Sequence, residues 1–168
     1  MKLQEKKYQV DSFDPILELI KEKGLKKLKE VTSVHYYGKH EGNDVEKFIE
    51  YPDRVEIHIF KEKDGKFIPT EEFLLKNKDE GFDWLKERGF KEVNIVKMDY
   101  VEYAYKNGAV GLYTIDDFHR SVILNFPEGG HEVMEKEFGL QNVELITVPY
   151  NKLLEKMGKL RSLSLDQE

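Results

Sequence analysis

Glu5 and Lys7 stand two residues apart in the opening stretch Leu-Gln-Glu-Lys-Lys-Tyr-Gln-Val, residues 3–10. Strand side chains alternate between two faces. As a β-strand, this segment sets a carboxylate and an ammonium side by side on one face, with Tyr8 and Val10 on the other. A charged face suits the inside of an antiparallel barrel with a polar bore, where the apolar faces pack outward against helices. A second such pair, Glu56 and His58, lies in Arg-Val-Glu-Ile-His-Ile-Phe, opposite Val55, Ile57 and Ile59. Glutamate and histidine both ligate metals, although two donors on one strand face form an incomplete set. His35 and His40 lack the helical spacing of a metal motif. No phosphate-loop, nucleophile-elbow or zinc-hydrolase pattern occurs.

The chain that must position these residues has 168 of them, enough for one domain or a compact duplicated one. It carries 27 Lys+Arg against 33 Asp+Glu, a net charge of −6 that disfavours nucleic acid and anionic membranes as partners. With no cysteine, disulfides and thiolate metal sites are excluded. No apolar run approaches the ~20 residues of a transmembrane helix. Lys2, Glu5, Lys6 and Lys7 interrupt any signal-peptide pattern, so the expected location is the cytoplasm.

The sequence repeats itself. Ile-Lys-Glu-Lys-Gly from Ile20 matches Leu-Lys-Glu-Arg-Gly from Leu85 at an offset of 65 residues, with Gly24 on Gly89 and Val31 on Val96. Helix, glycine and strand follow in the same order twice, the mark of a duplicated unit. The first helix has Ser12 as N-cap, Pro15 in its first turn and Gly24 as its stop. Further strands are expected over residues 31–37, 54–60, 66–75, 93–105, 107–115, 121–126 and 143–148, with hairpin turns at Asp64-Gly65 and Asn107-Gly108. Two short helices fall near the end, one in residues 130–140 ending near Gly139 and one in residues 150–158. The expected fold is α+β: an antiparallel β-barrel, or tunnel, with flanking helices, built from two repeated helix–strand units. Residues 1–158 would form one domain, and 159–168 a flexible tail.

Leu-Gln-Glu-Lys-Lys resembles the E-x-E-x-K strand that opens members of the CYTH superfamily of triphosphate-tunnel enzymes, with Leu3 in place of the first Glu. That superfamily includes class IV adenylate cyclases and thiamine triphosphatases. The duplicated helix–strand order is similar too. So are residues 96–118, against the family's basic strand, hairpin and L-D-x-V segment, and residues 135–157, against its C-terminal helices.

The resemblance implies that basic residues surround a triphosphate while carboxylates hold Mg²⁺ or Mn²⁺ against it. Carried over position by position, it implies Lys7, Lys76 and Lys97 as phosphate ligands and Glu5, Asp116 and Glu128 as metal ligands. It assigns no catalytic residue. Its departures are Leu3, Glu56 and His58 in place of a basic pair, Asp99 in place of an arginine, and a closing strand without its two glutamates. The expectation is an ATP- or triphosphate-binding barrel with hydrolase or cyclase chemistry. The alternative is a non-catalytic member binding another ligand. A small phosphorylated molecule and a second copy of the chain are the expected partners.

Overall fold

A computed structural model describes residues 2–165. The strands β1 (Leu3–Val10), β2 (Lys26–Gly38), β3 (Val45–Glu50), β4 (Val55–Lys63), β5 (Lys66–Leu75), β6 (Glu92–Tyr105), β7 (Gly108–Ile115) and β8 (His119–Pro127) run antiparallel to their neighbours. Their order is β6-β2-β3-β4-β5-β1-β8-β7, and pairing of β7 with β6 closes them into an 8-strand barrel. Helices α1 (Asp14–Lys23) and α2 (Lys78–Glu87) follow β1 and β5. After the barrel come α3 (His131–Glu137), β9 (Leu145–Ile146), α4 (Tyr150–Lys156) and β10 (Arg161–Ser164).

The repeat is therefore wider than two helix–strand pairs. Strand, helix and three strands (β1-α1-β2-β3-β4) recur as β5-α2-β6-β7-β8. Within the β2–β6 ladder Ser33 is the register partner of Met98, and the two are 65 residues apart in sequence. A residue paired with its own repeat counterpart marks the place where a local twofold axis crosses the sheet.

Alternation sorts the side chains. On β4, Val55, Ile57 and Ile59 face outward with Phe48, Val93 and Leu85 of α2. On β1, Tyr8 packs outward with Ile16 and Ile20 of α1 and with Met134 and Phe138 at α3. Inside, Tyr37, Phe67, Met98, Ile115 and Ile123 meet Ile146, Tyr150 and Leu154, so α4 plugs one end of the bore. Local sequence sets the helix ends. Gly24 takes the left-handed conformation, φ 64°, that stops α1, and the Asn77 side chain accepts from the Glu80 N–H to start α2.

Several local expectations change. Strand β3 joins the barrel unannounced, because Val45-Glu46-Lys47-Phe48-Ile49-Glu50 has no purely apolar face. The strand expected over 143–148 shrinks to β9, paired with β1. Of the expected tail, residues 161–164 form β10 on β6, and Leu165 is buried beside α2. Residues 166–168 lie outside the described residues.

Candidate functional site

The bore encloses a cavity of about 270 Å³. Its wall carries three cations (Lys29, Lys47, Arg54), four carboxylates (Glu5, Glu56, Glu72, Glu102) and the imidazoles of His35 and His58. With neutral imidazoles the wall is slightly negative. Most of its charges are paired within it. Lys29 Nζ lies 3.4 Å from Glu102, and Arg54 Nε lies 2.6 Å from Glu56 Oε2 while its guanidinium stacks 4.0 Å from the Tyr51 ring centre.

Lys47 is the exception among the cations. It is 8% exposed, donates to the Tyr37 hydroxyl at 3.3 Å and sits over the Tyr37 and Phe60 rings, with no carboxylate in hydrogen-bond contact among the described residues. Burial pulls its ammonium down to about 8, and the field of Glu5 only partly opposes this. Burial raises the Glu5 carboxyl, against the pull of Lys47 and then Lys7. On β2, His35 is kept neutral by burial and then by Lys47; its Nε2 contacts Ser33 Oγ at 2.8 Å, while its Nδ1 has no partner among the described residues.

At the wall formed by β4 and β5, Glu56, His58 and Glu72 converge. His58 Nε2 lies 2.9 Å from Glu56 Oε1, and His58 Nδ1 lies 3.8 Å from Glu72 Oε2. His58 and Glu72 are direct cross-strand partners. Burial raises the Glu56 carboxyl, but hydrogen bonds from His58 and Arg54 outweigh it and leave the group below its ordinary value. Burial lowers His58, despite its bond to Glu56.

The six residues implied by resemblance do not come together. Glu5 lines the cavity. Lys7 points inward but lies beneath the cavity, where its ammonium donates to the Val148 carbonyl at 2.9 Å between the rings of Phe67 and Tyr150. Lys76 is exposed in the bend between β5 and α2. Lys97 and Asp99 lie on the outer face of β6, because Met98 and Tyr100 take the inner one; Lys97 pairs with Asp117 at 3.0 Å. Asp99 is therefore no charge reversal within the bore.

Asp116 is a turn residue, in the left-handed region at φ 49°, and its carboxylate accepts the Lys97 N–H at 2.8 Å and pairs with Arg161. Glu128 is exposed in a surface groove with Lys2, Lys63 and Lys66. Glu5, Asp116 and Glu128 thus make no common metal site, and β8 turns Ser121, Ile123 and Asn125, none of them acidic, to the inside. Sequence reading missed Lys29, Lys47, Glu72 and Glu102, which reach the wall through strand registers fixed only by barrel closure.

No family model matches the sequence, and no curated protein matches it. Solved structures do match. The PH1012 protein of Pyrococcus horikoshii superposes with a TM-score of 0.76 at 18% identity, over 89% of this chain and 97% of that one. A candidate adenylate cyclase of Vibrio parahaemolyticus gives 0.70 at 14% identity, over 92% and 98%. A candidate adenylyl cyclase of Hippeastrum with a dominant triphosphatase activity gives 0.57 at 11% identity, over 99% and 100%. The chain therefore shares the barrel fold of these structures.

Proposed function

We propose that the barrel binds a small phosphorylated anion in its bore with help from a divalent cation, and that it turns over triphosphates slowly or not at all. The observation that carries this is Lys47. It is a buried ammonium on the cavity wall held by a phenol and two ring faces, so a bound anion gains a charge-assisted hydrogen bond there. Even with Glu5 left out, Glu56, Glu72 and Glu102 balance the three cations, so the wall offers a bare polyanion no net attraction, hence the need for a cation. A cavity of about 270 Å³ lies at the small end of ligand pockets and favours a compact guest.

Slow turnover follows from charge. Lys76 and Lys97 stand outside the bore. Each charge-assisted contact missing from a transition state removes ~2–4 kcal/mol of stabilisation. Incubation with ATP or inorganic triphosphate, with Mg²⁺ or Mn²⁺, should release little phosphate, pyrophosphate or cyclic nucleotide. Turnover at ordinary enzyme rates, about 1 s⁻¹ or faster, would sink the slow-turnover reading. Calorimetric titration with phosphate and pyrophosphate, with and without Mn²⁺, tests binding itself.

A further inference from the structure

The donors at the β4–β5 wall differ from those that the resemblance implies. We propose that Glu56, His58 and Glu72 form a divalent-cation site that prefers Zn²⁺ or Mn²⁺ to Mg²⁺. One donor atom from each lies within 4.8 Å of the others. The 2.9 Å between His58 Nε2 and Glu56 Oε1 suits two ligands of one ion, whose bonds to imidazole and carboxylate are ~2.0–2.2 Å. Glu72, directly opposite His58 and 60% exposed at its side chain, can swing in as the third.

Two further features make this more than a chance meeting of polar groups. The second oxygen of Glu56 is held by Arg54 at 2.6 Å, an outer partner that fixes the carboxylate and leaves Oε1 turned towards the imidazole. The same cavity contains buried polar atoms without partners among the described residues: Nδ1 of His35, which is 4% exposed, and Oδ1 of Asn125. Buried polar atoms ordinarily find partners, so this pair points to a polar guest. One imidazole with two carboxylates suits Zn²⁺ and Mn²⁺, whereas Mg²⁺ prefers oxygen ligands throughout.

The site rests on reading the bore as a ligand site but not on the identity of the anion. Its test is therefore run without phosphate. Calorimetric titration of the untagged chain with ZnCl₂ and with MnCl₂ should show one equivalent bound, more tightly than MgCl₂. Glu72→Gln is at an exposed side chain and should leave the fold intact by circular dichroism. It should weaken binding at least about tenfold, since losing a ligand costs no less than losing an outer-shell partner; Glu56→Gln should do the same.

No binding, or the same affinity in the parent and both variants, overturns the site. So does a loss in Glu5→Gln that Glu72→Gln does not share, because the ion would then sit at the first strand. Ion binding without phosphate binding would sink the proposed anion and leave this site standing. Phosphate binding without ion binding would do the reverse.

Discussion

Lys7 on β1 donates its ammonium to the Val148 carbonyl at 2.9 Å, so a lysine of the first strand holds down the segment that leads into the α4 plug. Lys7→Ala removes that donor and leaves a hole between Phe67 and Tyr150. The expected loss is about 2–4 kcal/mol of unfolding free energy by urea titration. Anion affinity should change little, because the ammonium lies below the cavity. Lys7→Met, which fills the volume without a buried charge, should cost much less. A Lys7→Ala protein as stable as its parent would show that this contact does not secure the plug.

Stability should rise with pH between about 7 and 9.5. Burial lowers Lys7 to about 7 and Lys47 to about 8 in the folded chain. The unfolded chain titrates both near 10.4. Between these values the unfolded state binds more protons, so raising the pH relieves the folded state of an unfavourable charge. The burial penalty is complete below the folded values and gone above the unfolded ones. The two shifts together set an upper bound of about 5 kcal/mol on the gain, read by denaturant titration at pH 7.0 and 9.5. It should shrink in Lys47→Met. A flat profile would mean that the two ammonium groups are better solvated than their surroundings imply.

Lys47 and Lys97 should part company in anion binding. Lys47 faces the cavity, while Lys97 pairs with Asp117 outside the barrel. Lys47→Ala should weaken pyrophosphate binding by about 1.5–3 kcal/mol, the range for a hydrogen bond to a charged group. Lys97→Ala should leave it within error. The opposite ranking, in the same calorimetric assay, would move the anion site to the outer face of β6.

Gly81 in α2 lies against Phe48 of β3, and a Cβ built there would come within 2.6 Å of the ring. Glycine inside a helix ordinarily costs about 1 kcal/mol relative to alanine. Here Gly81→Ala should instead destabilise by about 1–3 kcal/mol, the cost of overpacking a filled core. A rise in melting temperature would show that α2 can lift away from the barrel cheaply.

What the sequence disclosed followed from period and punctuation. The alternation in Arg-Val-Glu-Ile-His-Ile-Phe set Val55, Ile57 and Ile59 outward, and the Asp64-Gly65 turn closed its hairpin, both as found. Gly24 marked a helix end by its backbone chemistry. Strand β3 escaped notice because a polar bore puts Lys47 between Val45 and Ile49, which blurs the period of two. Lys47 was lost with it. Lys97 falls outside the bore for a different reason. Family position fixes a residue along a strand, whereas the inner or outer face depends on register, and a slip of one residue reverses it. Glu72 joined His58 only through ladder pairing across a bulge between Ile59 and Phe60, which local sequence does not reveal.

Since Ser33 faces its own counterpart, each location in the barrel has a twin. The twin of the β8–β1 seam is the β4–β5 seam. Glu72 follows Lys7 by 65 residues, and Glu56 and His58 precede Ser121 and Ile123 by the same interval. One backbone thus offers two equivalent addresses for a set of polar ligands, and substitution alone can empty one and furnish the other. In this chain β8 has been furnished with Ser121, Ile123 and Asn125, and the acid–imidazole trio stands at the opposite address. A guest entering the bore would then meet its charges rotated half a turn about the barrel's internal dyad.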